Sequence, residues 1–220
     1  METKGKLVVI SGFSGAGKGT IMHALMEQHT QDYALSVSAT TRDPRPGEQD
    51  GISYFFVTKE KFESMIAANE LIEYAQYVNH YYGTPRAYVE EQLEAGKNVI
   101  LEIEIQGARK IKEMFPDAIL MFVTAPDANT LRERLIGRGT ESAEVIAARL
   151  KRAHEESEGI EDYDYLVIND TVVEAVGLIE QLILSEKSGC AEGNIEHRVS
   201  ANIDFINNIR EELKRFSEGE

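Results

Sequence analysis

Residues Gly12-Phe13-Ser14-Gly15-Ala16-Gly17-Lys18-Gly19-Thr20 follow the aliphatic run Leu7-Val8-Val9-Ile10 and precede a helical pattern. That order of strand, glycine-rich loop and helix constrains the chain more than any other segment. Glycines let the backbone turn several N–H groups toward one centre, the helix start adds its positive end, and Lys18 supplies a mobile ammonium. All three stabilise anionic oxygens, so the segment predicts a phosphate-holding loop. A nucleophile elbow sits at the same strand-to-helix turn but requires Gly-x-Ser-x-Gly, and Ala16 stands where its last glycine would be. Neither an elbow nor a purely structural glycine turn accounts for Lys18. The hydroxyl that usually follows the lysine to hold magnesium is displaced by one position, because Gly19 comes next and Thr20 after it.

The remainder of the chain reads as an α/β scaffold for such a loop. Ile21, Met22, Leu25 and Met26 fall on one face of the helix that follows it. Further strands are expected at 34–37, 99–105, 118–123 and 165–168, separated by helical patterns such as 130–136 and 172–184. This alternation predicts a parallel sheet covered by helices. Between Arg42 and Tyr82 the texture changes. A turn-rich run, Arg42-Asp43-Pro44-Arg45-Pro46-Gly47-Glu48, is followed by an expected strand at 52–57 and an expected helix at 61–68. With Tyr54, Phe55, Phe56, Tyr74, Tyr77, Tyr81 and Tyr82, the stretch reads as a small β-rich insertion of roughly 38–84 that holds a substrate; an ordinary aromatic satellite core is the plainer alternative. The scaffold proper is then 1–37 and 85–184, within a domain of 1–184. The polar stretch 185–199 reads as a linker, and 200–220 as an amphipathic helical extension with Val199, Ile203, Ile206, Leu213 and Phe216 on one face. Such a stripe must be buried somewhere, either on its own domain or on a second subunit.

Charge narrows the class of partners. Lys and Arg number 23 against 38 Asp and Glu, a net charge of −15 that repels nucleic acid and anionic membrane surfaces. An anionic small ligand remains possible, because exposed charges act over only about 8 Å at physiological salt. No apolar run approaches the roughly 18 residues needed to span a bilayer, and no signal-peptide core follows Met1. The single cysteine, Cys190, cannot form an internal disulfide, which fits a reducing cytoplasm. The five histidines are scattered and form no metal-ligand pattern.

Taken together, several ordered motifs make the chain resemble the guanylate kinases, from about Lys6 to Leu184. They are the glycine-rich loop, Ser36 to Glu48, Tyr81-Tyr82-Gly83-Thr84, Glu102-Ile103-Glu104-Ile105-Gln106-Gly107, and Arg134 to Glu141. The resemblance implies a P-loop NTPase-type fold with a GMP-binding insertion and a helical lid at roughly 134–158, in a cytoplasmic enzyme that moves the γ-phosphoryl group of ATP to GMP. It implies that Gly12, Phe13, Ser14, Gly15, Ala16, Gly17, Lys18, Gly19, Thr20 and Asn169 bind ATP. It implies that Ser38, Arg42, Arg45, Tyr54 and Tyr82 bind the phosphate of GMP, and that Glu73, Thr84 and Glu104 bind its guanine. Lys18, Arg42, Arg134, Arg138 and Arg149 would serve catalysis, with Mg²⁺ held by Thr20 and, through water, by Glu102.

The residue chemistry agrees with these assignments. Arg42 and Arg45, flanking a proline turn, can grip a phosphate through charge-assisted hydrogen bonds. Guanine presents N1–H and a 2-amino group, which a carboxylate such as Glu73 or Glu104 can accept, whereas adenine would leave that carboxylate unsatisfied. Glu102 and Glu104 alternate with Ile103 and Ile105 and so are expected on one side of an otherwise apolar strand, at its carboxyl end. Arg134 and Arg138, four residues apart near a helix end, can point the same way. Two other functions compete: another nucleoside monophosphate kinase, suggested by Lys18-Gly19-Thr20, and a catalytically inert module that binds protein partners. The carboxylates Glu73 and Glu104 argue against the first, and the retained lysine and arginines against the second.

Overall fold

The computed structural model describes residues 4–77, 79–137 and 142–218. The chain begins with β1 (Leu7–Gly12), α1 (Lys18–Gln28), β2 (Tyr33–Leu35), β3 (Ala39–Thr40) and β4 (Phe55–Phe56). It continues through α2 (Lys59–Ala67), β5 (Leu71–Tyr77), β6 (His80–Pro85), α3 (Arg86–Glu94), β7 (Asn98–Glu102) and α4 (Ile105–Met114). Then come β8 (Ile119–Thr124), α5 (Ala128–Gly137), α6 (Ala143–Ser157), β9 (Tyr165–Ile168), α7 (Val172–Ser188) and α8 (Ile203–Glu218). The expected parallel sheet flanked by helices is present.

Two compact units divide the chain, one formed by 1–9 and 29–118, the other by 10–28 and 119–220. In the first unit the strand order is β2-β7-β1, with β2 and β7 parallel, and a second sheet is ordered β4-β3-β6-β5. β3 and β6 pair antiparallel, as do β5 and β6, while β4 joins β3 in parallel. This second sheet draws its strands from 39–85, and Phe62 and Met65 of α2 pack with Ala39 and Leu71 as a small core of its own. In the second unit β1 continues the order β1-β8-β9, with β8 and β9 parallel. β8 is a near-continuous apolar run because both of its faces are covered: every one of its residues is buried.

Local chemistry sets the helix ends. Thr58 caps α2 by accepting from Lys61 N, and Thr171 caps α7 by accepting from Glu174 N. α7 stops at Gly189, whose φ of 73° is left-handed and costs glycine no steric clash.

Four expectations are corrected. Only Phe55 and Phe56 of the stretch 52–57 form a strand, since Gln49 O accepts from both Ile52 N and Ser53 N and folds the preceding residues into a turn. The strand expected at 99–105 ends at Glu102, because Glu104 is the N-cap of α4, so Glu102 and Glu104 do not share a strand face. The stretch 185–199 is not an open linker: α7 runs to Ser188, 3₁₀ turns occupy Ala191–His197 and Val199–Ala201, and buried Asn194 bonds Gln181 and Ser185. The extension packs within its own unit, as one of its two expected fates allowed, but its buried stripe differs from the one expected. Ile206, Ile209 and Leu213 of α8 are buried against α6 and α5. Ile209 takes the place expected of Ile203, which is 38% exposed.

Candidate active site

The glycine-rich loop belongs to the second unit and rests on an aromatic floor. Phe13 is fully buried, edge-on to Phe122 with ring centres 4.9 Å apart, and its N–H donates to Val123 O. Gly15 and Gly17 both have φ of 92°, the left-handed region that glycine adopts freely. At Gly17 a Cβ would also lie 2.4 Å from Asn169 Nδ2, so the close approach of Asn169 requires glycine there. That amide nitrogen donates to Ala16 O at 2.7 Å, while Asn169 Oδ1 is buried without a hydrogen-bond partner among the described residues. Lys18 opens α1 and curls back over the loop, its Nζ 2.7 Å from Gly12 O and 3.2 Å from Phe13 O. Gly19 and Thr20, in the first turn, are exposed.

Two arginines reach the same loop region. Arg149, on α6, donates from Nη1 to Ser14 Oγ at 2.9 Å. Arg134, on α5, donates to Asn169 O at 2.9 Å and Asp170 O at 3.2 Å, and thus holds the backbone that carries the loop-anchoring amide. Arg138 lies outside the described residues. The second unit therefore gathers Ser14, Lys18, Arg134, Arg149 and Asn169, which the sequence spreads over more than a hundred positions.

The first unit carries two further groupings. Arg42 makes a bidentate pair with Glu48, Nη1 to Oε2 and Nη2 to Oε1 at 2.9 Å each, and Glu48 Oε2 also accepts from Arg45 N at 2.7 Å. The Arg42 guanidinium lies 5.3 Å over the ring of Tyr54, which meets Tyr82 edge-on at 6.0 Å. Pairing with Glu48 first, and the nearby Tyr82 hydroxyl after it, raise the affinity of Arg42 for its proton, while Arg42 and the Arg45 amide hold Glu48 below the usual carboxylate range. Burial, then the charge of Glu102, pushes the Tyr54 phenol up. Ser38 lies beside this group, its carbonyl accepting from Phe55 N, whereas the Arg45 side chain is exposed.

The second grouping pairs a carboxyl with a hydroxyl inside the β5–β6 ladder. Glu73 and Thr84 are cross-strand partners, both buried, and Thr84 Oγ1 donates to Glu73 Oε1 at 2.8 Å. Burial raises the Glu73 proton affinity more than the Thr84 bond lowers it. Room for the carboxyl comes from Gly107, where a Cβ would stand 2.8 Å from Glu73 Oε2. Glu104 is exposed at the start of α4 and makes no side-chain cap. Glu102 is exposed at the end of β7.

Glu48 is the residue to which sequence reasoning assigned no role. Its signal was present, as an acid three residues beyond Arg45 across a Pro-Gly turn. Among the described residues no cluster of three or more His, Cys, Asp or Glu could hold a metal by itself, and no helix is long and apolar enough to cross a membrane.

Comparison with known proteins adds independent findings. The guanylate kinase family model matches residues 4–186. The guanylate kinase of Oceanobacillus iheyensis is 52% identical over 186 residues, covering 84% of this chain and 90% of the relative. That of Latilactobacillus sakei is 50% identical over 186 residues, covering 84% of this chain and 92% of the relative. A crystal structure of guanylate kinase from Anaplasma phagocytophilum aligns with a TM-score of 0.69 at 31% identity, over 84% of this chain and 88% of that one.

Proposed function

The chain belongs to the guanylate kinase family, and on that footing we propose that it transfers the γ-phosphoryl group of ATP to GMP, giving ADP and GDP, with dGMP as a second acceptor. The observation that carries the acceptor's identity is the buried Glu73–Thr84 pair. A carboxylate there accepts from guanine N1–H and the 2-amino group, and adenine offers neither donor in that arrangement. A site built on such bonds discriminates by about 10⁴ or more.

In this reading the donor's groups lie in the second unit. The amides of Gly12 to Gly19 and the N-terminus of α1 cradle the triphosphate, and Lys18 exchanges its loop carbonyls for β- and γ-phosphate oxygens. Asn169 keeps the loop in shape, and its unpartnered Oδ1 is free to accept from the adenine amino group. Arg134, Arg138 and Arg149 neutralise charge that spreads over the transferring group, an effect worth about 10³ to 10⁵ in rate where an arginine is well placed. The acceptor's groups lie in the first unit. Ser38, Arg42, Arg45, Tyr54 and Tyr82 hold the GMP phosphate, with Arg42 released from Glu48 to do so, while Glu73, Thr84 and Glu104 hold the base. An oxygen of that phosphate attacks the γ-phosphorus in line as the bond to the ADP oxygen breaks, so that catalysis rests on positioning and charge stabilisation.

Magnesium fits the residues present. The Thr20 hydroxyl of the second unit and the Glu102 carboxylate of the first are exposed hard oxygen donors of the type that ion accepts, and would hold it, Glu102 through water. The chemistry it would supply when bound is positive charge to offset that of the nucleotide phosphates. Assignment to the cytoplasm is supported by the single free thiol of Cys190.

A screen of nucleoside monophosphates with ATP and Mg²⁺, coupled to ADP release, tests the proposal. GMP and dGMP should turn over and AMP, CMP and UMP should not. Equal turnover of AMP would reject it in favour of another monophosphate kinase, and ATP consumption with no acceptor would leave only a hydrolase.

A further inference from the structure

We propose that α8 is a brace for phosphoryl transfer, in which Arg210 and Glu212 are positioning residues that keep Arg149 on Ser14 of the phosphate loop and Arg134 on the backbone of Asn169 and Asp170. The inference rests on the reading of those two arginines given above. α8 lies beyond residues 4–186, which the family model matches. Its apolar stripe of Ile206, Ile209 and Leu213 is buried. The polar contacts beside that stripe have a different geometry: they seize specific helix ends.

Arg210 Nη2 donates to Ser157 O at 2.8 Å and to Glu161 Oε1 at 2.7 Å, so that it closes the carboxyl end of α6, where a cation is favourable. Two residues on, Glu212 Oε2 accepts from Ala128 N at 3.1 Å, which places an anion at the amino end of α5. One turn of α8 thus grips both helices. The other part of each helix serves the loop region, through Arg149 to Ser14 and Arg134 to Asn169 and Asp170. From Ser157 back to Arg149 is eight residues, roughly 12 Å of helix, so a shift at the grip moves the backbone that carries the guanidinium. Displacements of about 1 Å at a reacting centre can cost about a hundredfold in rate.

Steady-state kinetics on the full chain test this with Arg210→Gln, Arg210→Lys, Arg149→Met and the Arg149→Met/Arg210→Gln double variant, each checked by circular dichroism and melting temperature. Arg210→Gln should lower kcat about tenfold with KM for GMP unchanged. Arg210→Lys, which restores the charge and part of the donor set, should recover part of that loss. In the Arg149→Met background the Arg210 change should add nothing, because a residue that acts through Arg149 has nothing left to position. Additive losses, or wild-type kcat in folded Arg210→Gln, would overturn the inference and leave the function standing. Wild-type kcat in Arg149→Met would instead overturn the reading of Arg149, and the brace with it. Should Arg210→Gln fail to fold, Glu212→Gln in an Arg134→Met cycle gives the same decision, non-additive loss supporting the brace and additive loss rejecting it.

Discussion

A carboxyl group enclosed as Glu73 is, with one hydroxyl for company, holds its proton more tightly than a solvated one. Its ionised form is therefore disfavoured in the folded chain relative to the unfolded chain. The stability it contributes is complete below the ordinary carboxylate value of 4.5 and is lost as pH rises through the raised folded value. Glutamine at this position can still accept from Thr84 and bears no such loss. Glu73→Gln should accordingly melt above the parent at neutral pH in the absence of nucleotide, with the two curves converging toward about pH 4. The same change should weaken GMP binding roughly tenfold or more, since a hydrogen bond to a charged group contributes about 1.5–3 kcal/mol. Differential scanning fluorimetry across pH and calorimetric titration with GMP measure the two effects. A variant that melts below its parent at neutral pH would show that the buried carboxylate is stabilising, contrary to this account. Guanine supplies the donors that the enclosure lacks, so the group that is strained without ligand is the one that selects it.

At the scale of elements, caps decide where helices begin. Thr171 accepts from Glu174 N, and its own hydroxyl donates to Glu174 Oε2 at 2.7 Å, which joins the first turn of α7 to its cap. Thr171→Ala should cost about 1 kcal/mol and lower the melting temperature by about 2–4 °C, as read by thermal unfolding; an unchanged midpoint would assign the start of α7 to packing alone. Caps and loops of this kind are visible in a sequence, and so the run from Leu7 to Thr20 was legible almost residue by residue. Elements whose pattern is broken by tertiary structure were not. β5 buries Leu71, Ile72 and Glu73 in succession because its register with β6 shifts between Leu71 and Glu73, which erases the alternation that marks a strand. Glu102 and Glu104 alternate with isoleucines as a strand would, yet the chain turns into α4 between them, and no local rule separates those outcomes. The polar stretch after α7 looked like linker because its order comes from distant partners, with Arg198 stacked 4.3 Å from the Tyr165 ring and paired with Glu186. Likewise the arginines of α5 and α6 were legible as candidates, but their grip on Asn169 and Ser14 depends on contacts no spacing encodes.

For the whole molecule, the residues assigned to ATP fall wholly in one compact unit and those assigned to GMP wholly in the other. The net charge of −15 gives neither anionic ligand a general attraction, so each must be held by its own local cations. Binding to the folded chain at about a hundred times Kd stabilises it by roughly 2.7 kcal/mol, which for a chain of this size raises the melting temperature by about 5–10 °C. ATP with Mg²⁺ and GMP, each supplied alone so that no turnover occurs, should therefore both raise the midpoint. Lys18 Nζ donates to Gly12 O and Phe13 O of its own loop in the second unit, whereas Arg42 and Glu73 belong to the first. Lys18→Met should accordingly lose most of the ATP shift and keep the GMP shift. Loss of both shifts together would mean that Lys18 supports the fold and not the donor. An ATP shift of full size would place the triphosphate elsewhere than on the glycine-rich loop.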